Sequence, residues 1–549
     1  MADTVIATAA IAGVTAPVYG APPVLTIAAT TEYAATISWN TNPERFAAST
    51  VYTATITITP KTGYTLTGVS ANFFTVAGAT VTNDANAGIV SAVFPATGAT
   101  LREATHADFN AASRQISVKL EIYFDGITNT PLTVDNSNYL VEAGWLEECS
   151  AESKEIIGSP SSNELTFRLY NPDGIFSPTN VSGTYYGLMK RGIPVKLFIR
   201  PESATETINW LQLGLYYVSD WTAEITNIYV DVVANDIWLD IFSTTVPNYA
   251  VTANKTVKYT LERIFTLMGY TVNASATLTR ILAYSYIKGD PLEFLASFMQ
   301  SDFITLETNN VGAPIIGTFL GNKTSVATLT DSDQVISVQS IETINKSYNG
   351  ASVTYYEPFA SPETFTVLTI PNINLVLGLN QLFNMYYDTG PLISLYYFGL
   401  WPTDEGGHGM PELFGYICNA WEFSVQYISY YNGIAPYQFV IQARAYTPKK
   451  SIISDTATAL CTTESIYIQS RAYATTVKDI LNAYVAADIP YLTMNTRGDP
   501  LIKINNRILV ESTKYDLNYD GITQRLQYHY NGSLSCVVSL LNYSLFGGA

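Results

Sequence analysis

Alternation of apolar and polar residues at period two runs through most of this chain, and helical spacing is rare. Val51-Tyr52-Thr53-Ala54-Thr55-Ile56-Thr57-Ile58-Thr59 alternates strictly and is bounded by Pro60-Lys61-Thr62-Gly63, the pattern of a strand that ends in a turn. Glu164 to Tyr170 alternates in the same way. Asn171-Pro172-Asp173-Gly174 then supplies a preset φ at Pro172, a side chain that caps its own turn at Asp173, and a positive-φ position at Gly174. Ile193 to Ile199 resumes the alternation after Gly192, so this stretch predicts two strands joined by a long ordered loop pinned by Phe176, Tyr185 and Tyr186.

Two segments break the strand pattern. Asp290-Pro291-Leu292-Glu293 predicts a helix start, with Asp290 as N-cap, Pro291 at the first helical position, Glu293 at the capping-box position, and Leu292, Leu295, Phe298 and Met299 as the apolar stripe. Val477, Ile480, Leu481, Tyr484 and Val485 form a second helical stripe. Phe303 to Thr308 and Ile315 to Leu320 flank Asn309-Asn310 as a hairpin. The C-terminal stretch predicts a strand at Tyr491 to Thr496, the turn Arg497-Gly498-Asp499-Pro500, a strand at Ile502 to Val510, and a hairpin around Asp520-Gly521.

The order of strand, Asn171 to Pro178, Tyr185-Tyr186-Gly187 and Arg191-Gly192-Ile193-Pro194-Val195 resembles a block found in baseplate hubs and tail-associated proteins of long-tailed phages. Ser347 to Tyr356 resembles the strand that opens the second barrel of that family, and the C-terminal order of helix, strand, Gly498-Asp499-Pro500, strand and hairpin resembles the way its fold closes. The likeness spans roughly residues 110 to 549 and is poorer from about 357 to 450. It implies a mainly β protein with a minor α/β part: two tube-like β-barrels and a small mixed α/β domain. It carries no catalytic residue. The implied role is a structural virion protein at the distal end of the tail, assembled in the host cytoplasm. The implied assembly is a homotrimer, because two barrels per chain present six to a six-fold tube. The implied partners are the tail tube, distal tail or baseplate proteins, a central spike or fibre, the tape-measure protein, and DNA passing without specific binding.

The first hundred residues differ in texture. Ala2 to Thr100 is nearly uncharged and rich in Thr and Ala, with short strands and turns that predict a small sandwich. Val51 to Asn83 resembles an immunoglobulin-like repeat of Gram-positive surface proteins, which implies a decoration that touches host cell-wall glycan or sits on the outside. Trp39, Phe73 and Phe74 are its only aromatic platform. The expected organisation is an immunoglobulin-like β-sandwich at 1–97, a linker at 98–112, a first hub barrel at 113–245, a small α/β domain at 246–330, a second barrel with an aromatic-rich insertion at 331–450, and a closing region at 451–549.

Composition sets bounds. A length of 549 residues gives roughly three to four domains, and 47% hydrophobic with 13% aromatic residues supplies several cores. Lys and Arg number 28 against 46 Asp and Glu, a net charge of -18 that argues against a surface built to grip nucleic acid, although an acidic channel wall would let a genome slide. Cys149, Cys418, Cys461 and Cys536 lie too far apart for a zinc motif or a disulfide framework and read as reduced, mostly buried thiols. The N-terminus lacks a signal-peptide pattern, and no apolar run reaches the roughly 18 residues of a membrane helix.

Candidate chemistry is sparse. Asp516-Leu517-Asn518-Tyr519-Asp520-Gly521 opens like a calcium loop, but Gln527 stands where a bidentate Glu belongs, and a hairpin turn is the simpler reading. Arg497-Gly498-Asp499 matches an integrin-recognition triplet by coincidence and reads as a turn. The three histidines, His106, His408 and His529, form no triad or metal box; His408, near Asp404, Glu405 and Glu412, reads as part of a glycine-rich loop. Glu147-Glu148, Asp331 and Asp333 read as solvated turn residues. Aromatics crowd Asn380 to Tyr446, among them Tyr386, Tyr387, Tyr396, Tyr397, Phe398, Trp401, Trp421, Tyr427, Tyr430, Tyr431 and Tyr437, at a density suited to a core or subunit interface, or to a sugar-stacking surface. No catalytic, cofactor-binding or metal-binding residue is expected. The rival readings are a bacterial cell-surface adhesin and a tail-associated cell-wall hydrolase.

Overall fold

The computed structural model describes residues 3–546 apart from 20, 98–100, 150–155, 204–205, 224–227, 333, 343–347, 387–389, 404–410, 419–421 and 430–434. The chain forms two compact units, residues 1–104 with 200–211, and residues 105–199 with 212–549. It is mainly β, and among the described residues its α-helices, His106–Asn110, Ile237–Phe242, Val257–Leu267, Pro291–Asp302 and Arg471–Ala486, all lie in the second unit. No helix among the described residues is long and apolar enough to cross a membrane.

The first unit is built on one antiparallel sheet in the order Tyr33–Trp39, Thr53–Pro60, Ile89–Val93 and Thr80–Asn83. The alternation read in the sequence is the reason: Ala54, Ile56 and Ile58 point inward while the intervening threonines face out. Among the described residues the unit also holds a short parallel pair, Thr4–Val5 with Tyr64–Thr65, and an isolated bridge from Ala10 to Thr75. Trp39 and Phe74 are buried in this core, with the Trp39 and Phe46 rings 5.0 Å apart, so neither is available as a binding platform. Leu101–Arg102 pairs in parallel with Thr207–Ile208.

The second unit is dominated by a single large sheet. Its path runs Val335–Glu342, Tyr491–Thr496, Leu534–Asn542, Leu517–Tyr530, Leu140–Glu148, Glu164–Tyr170, Tyr229–Asn235, Leu211–Ala223, Pro194–Pro201, Ile116–Ile122 and Leu132–Asp135. Arg507–Ser512 pairs with Leu517–Tyr530 on one side and Ser325–Thr330 on the other. The C-terminal strands therefore join the strands of residues 116–235, through the register Ala143 to Tyr530 and Glu148 to Arg525. Among the described residues the path is open, from Val335–Glu342 to Leu132–Asp135.

Two expectations for the C-terminal stretch need correction. The strand expected from Ile502 begins only at Arg507, because Asn505 takes a positive φ of 63° and residues 502–506 turn inward, burying Ile502 and Ile504. The hairpin expected at Asp520-Gly521 is a continuous strand, Leu517–Tyr530; the chain reverses before it, with Asp516 at φ 49°, and after it, with Gly532 at φ 97°.

Helices Ile237–Phe242, Val257–Leu267 and Pro291–Asp302 pack with the hairpin Ile304–Thr308 and Pro314–Thr318 around Trp238, Leu261, Phe265, Leu295 and Phe298. Asp290 caps Pro291–Asp302, its carboxylate accepting from Leu292 N at 2.8 Å. Leu292 itself is exposed and Phe294 takes its expected place in the stripe. Phe303 ends this helix in the left-handed region at φ 48°. Tyr467 closes the same core, its ring stacked 4.1 Å from that of Phe298.

The aromatic-rich region forms a body of its own. Gly350–Ala360 and the end of Ala435–Ser454 pair as a ribbon from Ala360 and Tyr446 to Ser352 and Ser454. Beyond the ribbon, Ala435–Ser454 continues between Phe365–Leu375 and Leu392–Pro402. A second sheet, Gly378–Tyr386, Glu422–Ser429 and Glu412–Cys418, covers it. Val367, Leu400, Phe423, Val425, Tyr437, Phe439 and Ile441 fill the space between the two sheets.

Candidate functional site

The first turn-rich block is an aromatic stack held by one asparagine. Pro172–Gly174 forms a tight turn in which Asp173, at φ 55°, and Gly174, at φ 67°, both take the left-handed region. Asn171, not Asp173, supplies the cap: its Oδ1 accepts from Phe176 N at 2.9 Å and its Nδ2 donates to Ser177 Oγ at 2.9 Å. That bond turns Phe176 inward, where it is fully buried. The Phe176 ring stacks on Tyr185 at 5.0 Å, Tyr185 stacks on Phe124 at 5.2 Å, and Tyr139 meets Phe176 edge-on at 5.3 Å. Trp221 Nε1 donates to Phe176 O at 3.3 Å. Tyr186, expected among the pins, is exposed instead.

The second turn-rich block, Arg497-Gly498-Asp499-Pro500, closes on the start of the same unit. Helix His106–Asn110 begins with a capping box between Thr105 and Asp108, so the expected linker carries ordered structure here. His106 Nδ1 lies 2.6 Å from Asp499 Oδ2, and the Asp499 carboxylate is almost wholly buried. Its second oxygen accepts from Leu501 N at 3.1 Å. Tyr528 OH donates to Asp499 O at 3.0 Å. The Arg114 guanidinium donates to the carbonyls of Phe109 and Arg497, to Gly498 O at 2.8 Å and to Leu534 O at 3.2 Å. Gln334 adds a bond to Phe109 O at 3.4 Å and accepts at its own carbonyl from Arg497 N at 3.0 Å.

One half-buried cation thus satisfies backbone carbonyls from segments as distant in sequence as Phe109 and Leu534, which converts otherwise costly orphan acceptors into a clasp. Burial and then the neighbouring Arg497 pull the Arg114 guanidinium down to about 10, still charged at neutral pH. The hydrogen bond to Asp499 raises the His106 imidazole above its ordinary 6.5, against the opposing effect of burial. Asp499 is therefore an internal strut and the Arg497-Gly498-Asp499 triplet is not displayed.

The remaining candidates are dispersed. Asp520 forms a bidentate pair with Arg507, Nε to Oδ1 at 2.9 Å and Nη2 to Oδ2 at 2.7 Å, and Gln527 lies farther along the same extended strand. The oxygens of the supposed calcium loop are strung along a strand and cannot converge. His529 is exposed on that strand, and His408, Asp404, Glu405 and Asp333 lie outside the described residues. Asp331 is a turn residue whose carboxylate accepts from Ser512 Oγ at 2.6 Å and Lys514 N at 3.0 Å. Glu147 is not a solvated turn residue: it sits buried in Leu140–Glu148 and pairs with Lys503 at 3.1 Å. Among the described residues no group of three His, Cys, Asp or Glu is arranged to hold a metal ion. Cys149 and Cys536 are buried and Cys418 and Cys461 partly so, and no disulfide joins any of the four. Burial drives both buried thiols well above their ordinary range, the setting of an inert sulfur.

No protein-family model and no curated protein sequence matches the chain. Among solved structures it is similar to the 43 kDa tail protein of prophage MuSo2 from Shewanella oneidensis, with a TM-score of 0.44 at 10% identity, covering 78% of this chain and 99% of that one. It is similar to the tail protein from Neisseria meningitidis MC58, with a TM-score of 0.44 at 8% identity over 79% of this chain and 98% of that one. A prophage tail protein from Listeria monocytogenes EGD-e aligns at a TM-score of 0.39 and 10% identity over 78% and 94% of the two chains.

Sequence reasoning placed both turn-rich blocks and missed what locks them. Arg114 stands alone in the sequence with no charged partner at helical or strand spacing, because its partners are main-chain carbonyls. Trp221 and Gln334 carry no local signal either; each is brought to its block by sheet register.

Proposed function

We propose that this chain is a structural component of a bacteriophage tail tip, the baseplate or tail hub that joins the tail tube to a central spike or fibre and forms part of the DNA-ejection channel. The observation that supports the reading is that strands adjoining the two turn-rich blocks, whose residues resemble hub proteins, are joined in one sheet. The strand that enters the first block, Glu164–Tyr170, pairs with Leu140–Glu148, which pairs with Leu517–Tyr530 just beyond the second block. Each block is held by side chains that serve geometry and not chemistry: Asn171 and the Phe176 stack in one, Arg114 and Asp499 in the other. The chain acts as a homotrimer, its role is mechanical and not enzymatic, and DNA and tape-measure protein pass without specific binding.

Antibody labelling of purified particles tests the assignment. Label at the distal tip of the tail supports it. Label confined to the host cell surface supports an adhesin, and release of reducing sugar or free amino groups from purified cell walls by the pure protein supports a hydrolase; either result overturns the hub assignment.

A further inference from the structure

We infer that the outer face of the aromatic-rich insertion is a binding site for a neutral polysaccharide chain. Within Leu392–Pro402, Phe398 and Leu400 face the core between the two sheets, so Tyr397, Gly399 and Trp401 share the outward face. Both rings are substantially exposed, Trp401 by 51%, and their centroids lie 6.2 Å apart. Gly399 makes the arrangement possible, because a Cβ there would stand 2.9 Å from Tyr397 Cζ. Without that Cβ the Tyr397 ring lies along the strand toward Trp401, and the two rings form one shelf with their planes inclined at 42° to each other.

The neighbours of the shelf are donors and acceptors. The strand register sets Gln442 opposite Tyr397, Val440 opposite Gly399 and Gln438 opposite Trp401. On the far side Thr369 stands opposite Val440. Aromatic faces stack on the C–H faces of pyranose rings, and amides and hydroxyls beside them match sugar hydroxyls, which is the division of labour of a small-ligand site with a few convergent polar groups. Charge selects among glycans. Residues 361–445 contain six Asp and Glu and one Lys or Arg, Arg444, whose Nε is directed to Ser361 O at 3.1 Å. That balance repels teichoic acids, nucleic acids and other polyanions and leaves uncharged sugar polymers.

The inference stands apart from the virion assignment, since such a shelf serves an adhesin equally well. The test is titration of the full chain with soluble neutral glucans, galactans, mannans and rhamnans, with alginate as a polyanionic control. At least one neutral polymer is expected to bind, with Trp401→Ala weakening it by about ten-fold or more. Gly399→Ala is expected to do the same while leaving thermal stability intact, because the displaced atoms belong to the far end of the Tyr397 side chain. Gln442→Ala weakens binding less. No binding of any neutral polymer, binding of alginate only, binding indifferent to both Trp401→Ala and Gly399→Ala, or a change in oligomeric mass with Trp401→Ala would each overturn the site.

Discussion

At the residue scale two titratable groups, His106 and Asp236, both make the second unit less stable as pH rises, over windows set by different causes. The folded-state pKa of His106 is raised above 6.5 by its bond to Asp499. Its contribution is therefore complete below 6.5 and is lost as pH rises through the raised value. Thermal unfolding followed from about pH 6 to pH 9 should show this decline, and His106→Ala should make it shallower. The half-exposed ring keeps the effect modest. Asp236 titrates through burial. Its carboxylate caps helix Ile237–Phe242 by accepting from Trp238 N at 3.1 Å, with Thr308 Oγ1 at 3.5 Å, and burial holds its pKa up at about 7 from an ordinary 3.8. Folding is favoured by this group below 3.8 and the advantage is lost as pH rises through about 7. Asp236→Asn keeps a capping oxygen without the charge, and should raise stability at pH 8 by about 1–3 kcal/mol in chemical denaturation, with no gain at pH 4.

At the scale of elements, the strands were legible because they alternate, and the caps because their residue types are few. Thr53–Pro60 and Tyr491–Thr496 follow their patterns, as does the start of Pro291–Asp302. What was illegible depends on residues remote in sequence. Glu147 looks solvated until Lys503 is placed beside it, and the C-terminal strand starts late because residues 502–506 are drawn inward by a core that local pattern does not report. The aromatic crowding at 380–446 divides into buried Tyr427 and Tyr437 and exposed Tyr396 and Trp401, a split that only the two-sheet packing determines.

Two substitutions test how elements are joined. Gly174→Val places a β-branched residue at φ 67°, at a cost of about 1–2 kcal/mol. The expected outcome is loss of the Phe176 and Tyr185 stack, seen as a weakened near-ultraviolet circular dichroism signal. Arg280 makes a bidentate pair with buried Asp302 at 2.8 and 2.6 Å and donates to Tyr467 O at 2.6 Å, tying helix Pro291–Asp302 to the chain that leads into helix Arg471–Ala486. Arg280→Ala leaves the Asp302 carboxylate buried and uncompensated and should cost about 3–5 kcal/mol in denaturant unfolding. An unchanged midpoint would show that the pair is solvated in solution.

At the scale of the whole molecule, sequence-distant segments meet in one sheet, with Leu140–Glu148 paired to Leu517–Tyr530. The fold class was readable from alternation and the scarcity of helical stripes. The junction of residues 116–235 with 491–542 was not, because strand pairing across such a separation leaves no local trace. The most direct measurement is the mass and symmetry of the purified chain, alone and with the proteins that neighbour it in particles, by native mass spectrometry and negative-stain averaging. The hub account predicts a three-fold ring; particles that contain only monomers or two-fold dimers would contradict it.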